Sequence, residues 1–161
     1  MIFSRLLDML RLRSGPQDLP AGRGLAVLLA VLYLGQGFIA DLVLGESDAA
    51  PRSIVAIALQ FVVITALLNA RRLSPRIPQT ISALSGTGFI LGLASILVLA
   101  QVNPDVQQPG LALAFFGLFL WSLAVDGHIY RHALSITMSL GVLIAVLIFA
   151  ANYVVLRAIF G

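Results

Sequence analysis

Residues 24–44 read GLAVLLAVLYLGQGFIADLVL, a nearly unbroken apolar run in which Asp41 is the one charged residue. A helix of about 20 residues crosses the ~30 Å hydrocarbon core of a bilayer. A water-facing helix of that length would alternate polar and apolar faces. Gln36 and Asp41 are too few to make such a face, so the stretch reads as a membrane span.

Four more blocks extend the pattern: Ser53–Ala70, Ile81–Ala100, Gly110–Val125 and Ala133–Leu156. The chain is 60% hydrophobic and 11% charged, against roughly a quarter charged in soluble domains, which excludes a soluble fold. The expected fold class is all-α: a polytopic transmembrane bundle of about five spans over residues 24–161. It drops to four if Gly110–Val125, the shortest block, is re-entrant. The seven prolines, at 16, 20, 51, 75, 78, 104 and 109, all fall between the blocks, where proline's missing donor does least harm.

Charge gives the expected orientation. Arg5, Arg11, Arg13, Arg23, Arg71, Arg72, Arg76 and Arg131 fall on one side of a five-span alternation. Arg52 and Arg157 fall on the other, with Asp41, Glu46, Asp48 and Asp105. Arginine-rich short loops stay cytoplasmic, so the N-terminus is expected inside and the C-terminus outside, the latter only if the fourth block crosses. Trp121 and Tyr130 near the inner end of the fourth span and Tyr153 near the outer end of the fifth are expected in interfacial belts.

Ahead of the spans, MIFSRLLDMLRLR sets Ser4, Arg5, Asp8 and Arg11 on one helical face and Phe3, Leu6, Leu7 and Leu10 on the other. Residues 1–14 therefore read as an amphipathic helix lying in the membrane interface. Residues 15–23 read as a Pro/Gly linker into the first span, with Asp18 suited to capping a turn.

The string Leu10-Arg11-Leu12-Arg13-Ser14-Gly15-Pro16-Gln17-Asp18-Leu19-Pro20 resembles the N-terminal lead-in of small bacterial inner-membrane proteins, and the Yip1-type family more loosely. That resemblance implies a short cytoplasmic lead-in, about five spans and a bacterial inner-membrane location. It supplies no catalytic residues.

Cysteine is absent, which removes thiol nucleophiles, thiolate metal sites and disulfides. No phosphate-binding loop, dinucleotide fingerprint or nucleophile elbow is found, so an enzyme is not expected and no cofactor is implied. His128 and His132 are spaced i, i+4 and share a helical face if the segment is helical. With Asp126 they form a candidate metal set, opposed by Gly127 as an expected helix break and by the missing glutamate of a zincin motif. Gln36, Asp41, Gln60 and Asn152 are candidate polar residues within the spans. Ser85, Gly88, Gly92 and Ser95 form one small-residue stripe, and Gly141 with Ala145 another, suited to close helix packing or to a partner's span.

Three functions follow in order of expectation. The first is a non-enzymatic accessory or scaffold subunit acting through lateral helix contacts, with membrane lipids, a homo-oligomer or a membrane-protein partner and no nucleic acid. The second is a small transporter with a polar path at Gln36, Asp41 and Gln60. The third is lipid head-group or metal-dependent chemistry at His128, His132 and Asp126.

Overall fold

A computed structural model describes residues 1–45, 48–103 and 105–161. Glu46 and Pro104, used above for charge and proline placement, lie outside the described residues. Six α-helices are present among those described: α1 (Ile2–Leu10), α2 (Arg23–Leu44), α3 (Ala49–Ala70), α4 (Ile77–Leu99), α5 (Pro109–Leu134) and α6 (Met138–Phe160). The last five are each long and apolar enough to cross a membrane. The protein is an all-helical integral membrane bundle.

The helices end where local chemistry stops them. Gly45 closes α2 in the left-handed region at φ 70° and donates to the Asp41 carbonyl, the backbone state glycine adopts without a Cβ penalty. Arg72 and Ser135 take the same left-handed turn after α3 and α5. The residues that follow, Leu73 and Ile136, donate back to the Leu68 and Arg131 carbonyls and pack on the core, which completes a Schellman closure. Arg76 reinforces the end of α5: its guanidinium donates to the carbonyls of His132 (3.3 Å) and Ala133 (3.0 Å) and to Ser135 Oγ (2.8 Å). A cation on those free carbonyls opposes the helix dipole. Arg76→Ala is expected to cost about 1–2 kcal/mol, read as a lowered melting temperature in detergent, with Arg131→Ala as the control.

Proline placement is more permissive than the block boundaries imply. Pro51 and Pro78 lie inside the first turns of α3 and α4, and Pro109 opens α5. First-turn N–H groups have no intrahelical partner, so proline removes nothing there.

The largest difference from expectation is in α5. The fourth block extends from Pro109 to Leu134, not to Val125, so it is long enough to cross and the re-entrant alternative falls. Asp126–His132 is a continuous part of this helix rather than a loop. Only Ser135–Thr137 separate it from α6, which starts at Met138 where the Thr137 side chain caps it. Gly127 does not break the helix because it is a contact point, packed against Val142 and Gly141 of α6.

In the packing, α4 is central. It touches α1, α2, α3 and α5, and no residue from Ile77 to Ile96 is exposed. Around it, α2, α3, α5 and α6 turn apolar side chains such as Leu28, Leu42, Val62, Leu113, Leu147 and Val154 outward, as a lipid-facing surface requires.

The N-terminal helix does not lie apart from the bundle. Leu6 and Met9 are 5% and 0% exposed and belong to the main core with Ile64, Leu68, Leu84, Ile129 and Tyr130. Leu6 sits over Gly86, about 14 Å along α4 from its first residue, where a Cβ would meet Leu6 Cδ2 at 2.6 Å. Trp121 Nε1 donates to the Leu10 carbonyl at 3.0 Å, about 20 Å back from the last residue of α5. Of the apolar face expected to meet lipid, Leu6 is buried on protein, Leu7 and Leu10 are half-buried, and Phe3 stays exposed. Trp121, 43% exposed, ties α1 to the middle of α5, and Tyr130 is fully buried rather than set at the surface. Tyr153 is exposed near the end of α6, within 3.5 Å of Arg157.

Candidate functional site

Five polar side chains from four helices converge inside the bundle. Gln60 of α3 donates from Nε2 to Asp126 Oδ2 (3.0 Å) and to Tyr130 Oη (2.9 Å), both on α5. Residues 126 and 130 are one turn apart and therefore share a helix face. Tyr33 of α2 and Asn152 of α6 complete the ring around Asp126.

Two cavities meet at this centre. The larger, about 420 Å³, lies among α2, α3, α4 and α5. It extends along α4 from Gly88 to Leu99 and along α5 from Phe115 to Asp126, about 16 Å on either helix. The smaller, about 210 Å³, lies on the α6 side and is lined by Gln60, Ala145 and Asn152. Tyr33, Ile57, Phe119, Ser122 and Asp126 line both. Towards the end that carries Arg71, Arg72 and Arg76, the packed core of Met9, Ile64, Leu68, Leu84 and Tyr130 closes the space. Towards the opposite end it reaches Ala40, Ser53 and Leu99. The first half of α5 helps to leave it open: Ala112–Gly117 are all exposed, which a helix packed along one side would not show.

The small-residue stripe builds this site. A Cβ on Gly88 would meet Tyr33 Cζ at 2.6 Å, and one on Gly92 would overlap the Gln36 amide. The two glycines are thus the seats on α4 for two polar side chains of α2. Ser95, one turn on, lines the larger cavity and donates to the Leu91 carbonyl. Ser85 is fully buried. On the other side, Gly141 lies against the Gly127 carbonyl, and Ala145 is 3% exposed beside the smaller cavity. Ser85, Gly88, Gly92, Gly141 and Ala145 therefore pack within the chain.

Of the intramembrane polar residues, Gln36 lines the larger cavity, and its Oε1 has no hydrogen-bond partner among the described residues. Asn152 Oδ1 is likewise without one at the smaller cavity. Asp41 is elsewhere. Its Oδ1 accepts from the Ala50 N–H at 3.0 Å, so it caps the first turn of α3 and favours that helix end. The acid that meets Gln60 is Asp126, not Asp41.

The histidine set is split. His128 and His132 do share a face, with ring centroids 4.6 Å apart. His128 Nε2 is 3.0 Å from the Ser14 carbonyl, which can only accept, so this nitrogen carries the proton and ties the N-terminal segment to α5. Asp126, two residues earlier, points the other way to Gln60. Among the described residues no three His, Asp or Glu side chains are placed to share a metal ion. The Gly15–Pro20 string is a structural turn: Asp18 accepts from the Gly15 N–H (2.9 Å), and Gln79 of α4 donates to the Leu19 carbonyl (2.7 Å).

Tyr33, Tyr130 and the packing role of Gly127 were not foreseen from sequence. No family model matches the chain, and no curated protein and no solved structure matches it either.

Proposed function

We propose that this protein is a small solute-binding carrier of the membrane, which admits a solute from the end opposite Arg71, Arg72 and Arg76 and holds it at Asp126. The observation that carries the reading is a carboxyl deep among the spans, at the floor of a 420 Å³ cavity. Ionisable groups at that depth are costly and are retained for substrates, ions or protons. The scaffold reading drew on the small-residue stripe, and that stripe is occupied by Tyr33 and Gln36 of the same chain. By the arginine distribution, the end at Ala40 and Leu99 is extracytoplasmic and the N-terminus cytoplasmic; the resemblance of the N-terminal string points to a bacterial inner membrane. Release to the cytoplasm then requires the seal around Tyr130 and Met9 to part.

The chain has no cysteine, so a single introduced one reports alone. Ser95→Cys, on the cavity wall, is expected to react with a membrane-impermeant maleimide added outside whole cells. Leu84→Cys, in the seal, is expected to stay unreactive. An unreactive Ser95→Cys from either side would remove the cavity as a solute site. Reaction only in inverted vesicles would reverse the orientation.

A further inference from the structure

We propose that the cavity is selective for a small organic cation, a protonated amine with an apolar body; this rests on the solute-binding reading and names its ligand class. The first ground is charge. Among the described residues, Asp126 is the only acidic side chain on the wall of the larger cavity, and no arginine or histidine lines it. Gln60 occupies Oδ2, while Oδ1 has no side-chain partner among the described residues. A carboxylate without a counter-ion in hydrocarbon is expensive, and a ligand that supplies the positive charge relieves it.

The second ground is independent of Asp126. Gln36 is 7% exposed, and its Oε1 is a buried acceptor on the wall of the larger cavity without a donor. Asn152 Oδ1 is a second orphan acceptor at the smaller cavity. Orphan acceptors call for a ligand that donates, as an ammonium does.

The third is shape and surface. Tyr33, Phe115 and Phe119 are aromatic walls within the same cavity. Aromatic faces attract organic cations through their quadrupole and bind the apolar body besides. A bare metal cation wants a shell of about six oxygens, and the wall is mostly Ala, Gly, Leu, Ile and Phe. An anion would meet Asp126 with nothing to offset it.

The test uses the purified full chain in lipid nanodiscs and three probes of similar size: phenethylammonium, its uncharged carbon isostere propylbenzene, and benzenesulfonate. Saturable binding, measured by equilibrium dialysis, is expected for the cation alone. Asp126→Asn is expected to weaken it at least about tenfold, and Asp126→Glu to keep most of it. Phe119→Leu is expected to weaken it about threefold; it leaves the Gln60 bond intact and serves if Asp126→Asn does not fold. Equal binding of the carbon isostere, binding of the sulfonate alone, or no binding by any probe overturns the proposal. The maleimide result on Ser95→Cys separates the two failures. A labelled cysteine with no cation binding removes only the ligand class, whereas an unlabelled one removes the solute site itself.

Discussion

Gly141→Leu is expected to abolish assembly of the bundle, and Gly127→Leu to do nearly the same. A Cβ on Gly141 would overlap the Gly127 carbonyl oxygen, and one on Gly127 would meet Val142 N and Cα at 2.8 Å. These obstacles are backbone atoms, which cannot rotate away as a side-chain tip can. Overpacking a core costs about 1–3 kcal/mol where side chains can adjust, and more where they cannot. Here α5 and α6 would have to separate at their crossing, which would carry Asp126 away from Gln60. Gly35→Leu and Gly117→Leu are the controls, because nothing lies within 4 Å of a Cβ at either. The measurement is the yield of monodisperse protein in mild detergent and its melting temperature. Wild-type behaviour of Gly141→Leu would mean that the close α5–α6 crossing is wrong.

The second large effect concerns the N-terminal helix. Met9→Ala is expected to cost about 2–5 kcal/mol, whereas Phe3→Ala, at a residue 64% exposed, should cost little. Met9 is fully buried among residues of α3, α4 and α5, so its truncation leaves a cavity in the seal that closes the site at the arginine-rich end. A helix resting in the interface would make the opposite demand: Phe3, Leu6, Leu7 and Leu10 would contribute in similar measure through lipid contact, and Met9 no more than they. Thermal melts of the two variants separate these cases. Equal, small shifts would place the helix in lipid rather than on protein.

How much of this was legible in the sequence depends on which physics each residue obeys. The five spans were legible because lipid demands long apolar runs, and the amphipathic stripe of residues 1–14 was legible because helical periodicity is regular. Which surface that stripe covers was not, since lipid and a protein core are equally apolar. The stripe Gly88–Gly92 was visible as a close-packing surface, but its tenant was not, because the reach of Tyr33 and Gln36 depends on how α2 crosses α4.

The miss at Asp126 is the instructive one. Ending the fourth block at Val125 gave a run too short for a bilayer, and the length rule itself required extension through Asp126 and Tyr130. The polar residues there lowered the hydropathy and suggested a loop. Their placement one turn apart, on the face that meets Gln60, was the available signal that they were inside. Gly127 misled for the same reason: between helices in lipid a glycine marks a contact more often than a break.

The most direct test of the cavity and its acid uses Ser122→Cys, one turn from Asp126 on a wall shared by both cavities. The quantity to measure is the rate of its modification by methanethiosulfonate reagents of matched size and opposite charge. The expected result is reaction with both, with the cationic reagent favoured about tenfold or more beyond the ratio the two show with a free thiol in solution, and with that excess lost in Ser122→Cys combined with Asp126→Asn. An unreactive cysteine, or no such excess with Asp126 intact, would contradict a solvent-reached, cation-attracting site at the floor of the bundle.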